Sequence, residues 1–183
     1  MKEIDTFVTH LECSYTGKTY PADQLHGLSE AGKPLLVRYD LEALGKAVEK
    51  EDLEGRLPEF WRYREFLPVR KSENIVRLGE MMTPILPAEK LQNEYGCGEI
   101  LIKDEGRLPT GSFKARGLAL AVAMAKELGV TRMAMPTNGN AGAALAAYCS
   151  AADIETYIFC PEDTPKVNIA EIAFQGGKTF LAN

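Results

Sequence analysis

The amino-acid sequence predicts an α/β fold containing parallel strands, and two features of its second half carry that prediction. From Glu99 onward, short apolar runs alternate with amphipathic or alanine-rich helical stretches. The connections between them are short, and glycines close the helical stretches at Gly129 and at Gly176-Gly177. Such alternation lays strands side by side in one direction, joined by right-handed crossovers. With 183 residues, 45% of them apolar and 26% charged, the chain has the balance of an ordinary globular protein and is long enough for one generous domain or two small ones.

Taken in order, residues 1–39 are mixed: short β-like pieces, a turn at Thr16-Gly17, and Gly32-Lys33-Pro34 ahead of Leu35-Leu36-Val37-Arg38-Tyr39. Asp40 is suited to cap a helix reaching about Lys50, with Leu41, Leu44 and Val48 on one face and a Glu42–Lys46 pair one turn apart. Residues 60–68 hold the aromatic concentration of the chain, read as an anchor that packs the N-terminal region on the main body. Ile100-Leu101-Ile102 reads as a buried strand. A long helix is expected over 112–128, with Ser112 as N-cap and Gly129 at its close. A second strand over 132–135 precedes a helix over 140–152. A third strand over 156–159 precedes a helix over 165–174, whose proline suits its first turn. Residues 178–181 open a fourth strand, and there the sequence stops, so a part of a longer protein is expected.

Composition removes several function classes. Lys and Arg number 21 against 26 Asp and Glu, a net charge of −5, so the basic field that gathers phosphate backbones is missing and no nucleic-acid partner is expected. The longest apolar run, 118–125, is too short to cross roughly 30 Å of hydrocarbon. Met1-Lys2-Glu3-Ile4-Asp5 lacks the apolar core of a signal peptide, so no membrane association and a cytoplasmic location are expected. The cysteines, Cys13, Cys97, Cys149 and Cys160, are scattered without a C-x-x-C pair, so neither a disulfide framework nor a metal site is expected.

Two stretches carry chemistry. In the first, Pro109-Thr110-Gly111 makes a tight connection and Lys114 falls in the first turn of the helix, where the dipole disfavours a cation. At about 100° per residue, Leu118, Ala121, Ala125 and Leu128 lie within about 40° of Lys114, with Arg116 and Glu127 opposite. Lys114 is thus expected along an apolar stripe. Desolvation and the helix end then favour a neutral amine, able to attack an aldehyde carbon; the bland alternative is a lysine that snorkels to solvent. In the second stretch, Pro136-Thr137-Asn138-Gly139-Asn140-Ala141-Gly142 joins a strand to a helix. Its backbone amides and the positive helix end suit a carboxylate or phosphate; the alternative is a plain Asn-Gly turn capped by Asn140 or Thr137. Gly139-Asn140-Ala141-Gly142 lacks the spacing of a dinucleotide fingerprint, and Gly96-Cys97-Gly98 precedes a strand instead of following one.

Together, Pro109-Thr110-Gly111-Ser112-Phe113-Lys114-x-Arg116 and Thr137-x-Gly139-Asn140 resemble the pyridoxal-phosphate enzymes of fold type II, the tryptophan synthase β-like group. Within that group, Val76-Arg77-Leu78-Gly79-Glu80-Met81-Met82-Thr83-Pro84-Ile85 resembles the L-G-E-G-x-T-P-L entry segment of the threonine synthase family. Trp61-Arg62-Tyr63-Arg64 and Pro161-Glu162-Asp163-Thr164-Pro165-Lys166 resemble the same family, and the likeness runs from about Leu11 to the last residue. The resemblance implies pyridoxal 5'-phosphate as cofactor, held covalently by Lys114, which later serves as acid and base. It implies Phe113 beside the cofactor and Asn140 on its ring hydroxyl oxygen. Thr137, Asn138, Gly139, Asn140 and Ala141 would bind the carboxylate of a small amino-acid substrate. The implied reaction is conversion of O-phosphohomoserine and water to threonine and phosphate by a homodimer of the intact protein. The rival readings are a serine or threonine dehydratase, a cysteate synthase, or a non-catalytic fragment.

The resemblance also implies a domain plan. Residues 1–75 would form an N-terminal extension of ribbon-like hairpins plus a helix, 76–129 the first part of the cofactor-bearing large domain, and 130–183 a small α/β domain carrying the carboxylate loop. The glycine-rich loop for the cofactor phosphate and the partner of the pyridine nitrogen are expected downstream of this sequence. Departures from the family pattern are Met81 for a glycine, Leu108 for an asparagine and Ala115 for an aspartate. Many relatives begin with a zinc ribbon of two C-x-x-C-G knuckles. Here Cys13 is kept but Thr16 stands at its partner position, and the second knuckle reads Leu28-Ser29-Glu30-Ala31-Gly32, so a hairpin module without metal is expected.

Overall fold

A computed structural model describes residues 6–182; the segment 1–5, inspected above for a leader, lies outside the described residues. Two units emerge. One contains the residues up to Leu57 together with Trp61–Ile75 and Leu120–Thr131; the other contains Pro58–Phe60, Val76–Ala119 and the residues from Arg132 onward.

In the first unit, β1 (Val8–Cys13), β2 (Thr19–Tyr20) and β3 (Leu35–Tyr39) form an antiparallel sheet in the order β2-β1-β3, with Leu11 opposite both Tyr20 and Val37. Gly17 takes φ 73° in the β1–β2 turn, a conformation that favours glycine. Cys13 is buried beneath this turn, its sulfur 3.1 Å from Ser29 Oγ and receiving the Thr16 N–H at 3.4 Å. Hydrogen bonding with Ser29 and Thr16 favours the thiolate and draws the thiol down to about 6. Among the described residues, no group of three or more His, Cys, Asp or Glu is placed to hold a metal ion.

Helix α1 (Leu41–Ala47) is capped as expected, the Asp40 carboxylate accepting the Ala43 N–H at 2.8 Å. It ends before Lys50 because Val48 is extended and Asp52 accepts the Glu49 N–H at 2.8 Å, starting a separate turn. Of the aromatic segment, Trp61 is buried while Tyr63 and Phe66 are exposed. Arg56 forks onto Glu65 at 2.7 and 3.0 Å and also donates to the Arg62 carbonyl.

Helix α3 (Lys114–Glu127) follows α2 (Glu89–Tyr95) in chain order and corrects three expectations. Its buried positions are Ala115, Ala119, Val122, Ala123 and Ala125, a stripe about one residue round from that of Lys114, and Ala121 is exposed. Small apolar residues occupy nearly every face of this helix, so periodicity alone could not select the buried one. Glu127 does not lie on a solvated face: its carboxylate accepts the backbone N–H groups of Arg70 and Lys71 at 3.0 Å and the Asn74 side chain at 3.2 Å. Ser112 does not cap the helix. Its hydroxyl is buried without a hydrogen-bond partner among the described residues, because the backbone stays extended at Ser112 and enters the helix two residues later.

In the second unit, β4 (Ile85–Pro87) and β5 (Leu101–Lys103) pair antiparallel, Leu86 opposite Ile102. The expected buried strand is instead exposed at Leu101 and Ile102, since a two-stranded ribbon brings no second layer of its own. The predicted parallel sheet is β6 (Arg132–Pro136), β7 (Glu155–Pro161) and β8 (Lys178–Ala182) in that order, with Met135 opposite Ile158 and Phe159 opposite Phe180. Its crossovers are α4 (Asn140–Ala151) and α5 (Lys166–Phe174), which pack on each other. Side chains alternate along β7: Thr156, Ile158 and Cys160 are buried, while Phe159 turns the other way and stacks on Phe180 at 5.4 Å. Every residue of α4 from Gly142 to Cys149 is buried, which its glycine and alanines permit by letting neighbours approach closely. Among the described residues no helix is long and apolar enough to cross a membrane.

Candidate functional site: an amine beside the mouth of a helix

Lys114 and residues 136–141 line one open cavity of about 510 Å³, joined by Asn168 from α5. The wall is built by topology. In a parallel β–α–β–α unit the carboxyl ends of neighbouring strands and the N-termini of their helices gather at one edge, where ligands of such folds bind. The ladder extends one step beyond β6, with Thr137 N–H donating to the Phe159 carbonyl at 2.9 Å. The chain then turns, Thr137 Oγ1 accepting the Gly139 N–H at 3.2 Å. The Gly139 carbonyl accepts from Gly142 at 2.9 Å and Ala143 at 3.3 Å, which opens α4. Gly142 leaves a notch for Thr137: a Cβ there would stand 2.5 Å from Thr137 Cγ2.

This geometry leaves the backbone N–H groups of Asn138, Asn140 and Ala141 without acceptors among the described residues, and the Asn140 side chain without a hydrogen bond. Unsatisfied donors at the positive end of a twelve-residue helix make a site for a carboxylate or phosphate. The Gly139 N–H is already committed to Thr137, so that residue offers close backbone approach instead of a free donor. Lys114 is half-buried, less enclosed than the apolar stripe implied, and its Nζ lies 4.5 Å from the centroid of the Phe113 ring. Phe113 itself is 59% exposed and is not among the residues lining the cavity.

The strand-to-helix loop that delivers Lys114 is strained and firmly tied. Thr110, a β-branched residue, sits in the left-handed region at φ 62°, followed by Gly111 at φ 64°. Such a conformation costs about 1–3 kcal/mol and persists only where surroundings enforce it. The two sides of the loop are tied through Glu105: Arg116 forks onto it at 2.6 and 2.9 Å, and Thr83 Oγ1 donates at 2.5 Å. Arg116 is the main reason the Glu105 carboxyl is held down at about 2, with Thr83 adding to it. A second carboxylate, Glu80, is completely buried and accepts both the Leu78 N–H at 2.7 Å and the Tyr148 hydroxyl. Burial, reinforced by Glu80, pushes the Tyr148 hydroxyl above the ordinary tyrosine range.

Glu105 gives a pH-dependent prediction. Its carboxyl is depressed in the fold, so its contribution to stability is complete above its ordinary value of 4.5 and is lost as pH falls toward about 2. Glu105→Gln is expected to lower stability by about 1 kcal/mol at pH 7. The gap from the parent should close across that window, as followed by thermal unfolding at stepped pH.

Sequence reasoning missed Asn168, Glu105 and Tyr148. Asn168 has no local motif signal, and only the α4–α5 crossover geometry brings it to the turn. Tyr148 is the one aromatic side chain in an alanine-rich helix, a visible oddity without an assignable partner until the fold is known.

Residues 76–182 match the family described as pyridoxal-phosphate dependent enzyme. The chain belongs to that family, whose fold type and cofactor it shares. It is similar to threonine synthase of Methanocaldococcus jannaschii, 38% identical over 169 residues that cover 92% of this chain and 42% of that protein. It is also similar to threonine synthase of Methanosarcina acetivorans, 33% identical with 90% and 39% covered. The chain thus spans about two fifths of the length of these curated relatives. Among solved structures, Escherichia coli diaminopropionate ammonia lyase in its apo form shares the fold, with a TM-score of 0.55, 22% identity, and 58% of this chain and 34% of that chain covered.

The residues present fit the cofactor family. The cavity lies within the usual range of about 300–1,000 Å³ for small-molecule sites. Its donors are a primary amine suited to an aldehyde carbon, a free side-chain amide on Asn140, and unpartnered backbone N–H groups suited to a carboxylate.

Proposed function

We propose that the intact protein converts O-phosphohomoserine and water to threonine and phosphate, with this chain supplying the reactive lysine and the carboxylate turn. The observation that carries the reading is the shared cavity of the Lys114 amine and the unpartnered N–H groups of the 138–141 turn. The choice of substrate is supported by the two threonine synthases that match nearly the whole chain.

In this reading Lys114 would hold the cofactor and would move protons at the substrate carbons as base and acid. The N–H groups of Asn138, Asn140 and Ala141, with the Thr137 hydroxyl, receive the substrate carboxylate. Gly139 would let the carboxylate reach the backbone, and the Asn140 amide would hold the ring hydroxyl oxygen of the cofactor. Phe113, over whose ring the Lys114 amine lies, would pack beside the cofactor. When bound, pyridoxal phosphate supplies the electron sink for carbanions. Residues 76–129 would then belong to the cofactor-bearing domain and 130–183 to the smaller one, in a homodimer of the intact protein.

The test is a product assay on the full-length protein loaded with pyridoxal phosphate. Stoichiometric phosphate and threonine from O-phosphohomoserine are expected. Keto-acid formation from threonine or serine without phosphate release would assign a dehydratase instead.

A further inference from the structure

One peptide plane in the carboxylate turn is held at both ends. The Asn138–Gly139 peptide has its N–H donated to Thr137 Oγ1 at 3.2 Å and its carbonyl accepting from Asn168 Nδ2 at 3.3 Å. Thr137 is itself fixed, its N–H on β7 and its methyl in the notch at Gly142. The other clamp comes from the first turn of α5, where the Asn168 N–H donates to the Pro165 carbonyl at 2.9 Å. Gly139 makes room for it, since a Cβ there would stand 2.4 Å from Asn168 Nδ2. Asn168 also lines the cavity that holds Lys114.

A peptide plane free to flip would turn its carbonyl toward the space where the neighbouring Asn138, Asn140 and Ala141 N–H groups must meet an anion. An oxygen there would repel a carboxylate. Holding the plane in advance removes that state before binding, which raises affinity without new contacts to the ligand. We propose that Asn168 is a positioning residue that sets the affinity for the substrate carboxylate by clamping the Asn138–Gly139 peptide; this rests on the reading of that turn as the carboxylate site.

The experiment uses the full-length, cofactor-loaded enzyme with Asn168→Leu, Asn168→Asp and Thr137→Val, and the Thr137→Val/Asn168→Leu double variant. Asn168→Leu keeps the volume and removes the donor; the expected result is a KM raised about tenfold with kcat changed by less than about threefold. Asn168→Asp puts a carboxylate against the Asn138 carbonyl, and about a hundredfold rise in KM is expected. The cofactor absorbance band and thermal midpoint should stay near parental values, showing that folding and cofactor loading are intact. Because Thr137 and Asn168 hold one plane, the double variant should lose clearly less than the product of the single losses. Unchanged KM in Asn168→Leu, multiplicative losses in the double variant, or loss of the cofactor band would each overturn the proposal.

Failure of the proposed reaction reads separately. If the parent enzyme releases no phosphate from O-phosphohomoserine, the same variants are titrated with L-serine and L-threonine, following the cofactor absorbance. About tenfold weaker binding by Asn168→Leu still supports the clamp, and equal binding rejects it.

Discussion

Lys114→Ala in the full-length, cofactor-loaded protein is expected to lower turnover by at least about a thousandfold, with little change in stability. The lysine does two jobs in the proposed mechanism, covalent attachment and proton transfer, and positioned acid–base catalysis alone contributes about 10²–10⁴-fold. Stability should hold because the side chain is half-buried and makes no hydrogen bond or ion pair among the described residues. Alanine is also a better helix former than lysine at the head of α3. A thermal midpoint within about 2 °C of the parent, measured beside the activity, separates lost chemistry from lost fold. A small primary amine added to the assay is expected to restore part of the proton-transfer rate. Activity within tenfold of the parent would remove Lys114 from the reaction.

Gly142→Val is expected to cost about 3 kcal/mol and to raise KM for the substrate. Even the first added carbon would stand 2.5 Å from Thr137 Cγ2, 3.0 Å from Ile172 Cδ1 and 3.1 Å from Ile158 Cγ2. Overpacking of this kind costs about 1–3 kcal/mol, occasionally more, and a branched side chain lies at the upper end. The nearest obstacle is Thr137, whose hydroxyl holds the turn proposed to receive the carboxylate, so strain and the proposed function are coupled. Gly142→Ala is the milder form, expected to cost about 1–2 kcal/mol, since improved helix propensity offsets part of the clash. Removing the opposing methyl by Thr137→Ser in that background should recover most of the stability. Urea unfolding measures the first effect and initial rates the second. A Gly142→Ala protein as stable as the parent, with unchanged KM, would show that the notch does not hold Thr137.

The alternation of strand and helix from Glu99 onward was legible because β6, α4, β7, α5 and β8 are each bounded by turn residues and follow their own period. Lys114 and the 137–141 turn were legible for a different reason: their motifs are short and local, and each sits at an element boundary. What the sequence left open is what depends on packing. Alanine on most faces of α3 hides which face is buried, so the stripe of Lys114 was misjudged by about one residue. Ser112 has the chemistry of a cap, but the strained Thr110-Gly111 bend carries the chain past it before the helix begins. Asn168 lies thirty residues from Asn138, and only the parallel crossovers make the two neighbours. Glu80 and Tyr148 are separated by still more sequence, and neither declares its partner.

The most direct test of the central claim, that the Lys114 amine is the cofactor's point of attachment beside the carboxylate turn, is peptide mass mapping of the full-length, cofactor-loaded protein after borohydride reduction. The reduced cofactor is expected on the peptide containing Lys114, with the absorbance band near the visible edge lost on reduction and no adduct formed in Lys114→Ala. An adduct carried by any other lysine, or one retained in Lys114→Ala, would contradict the account.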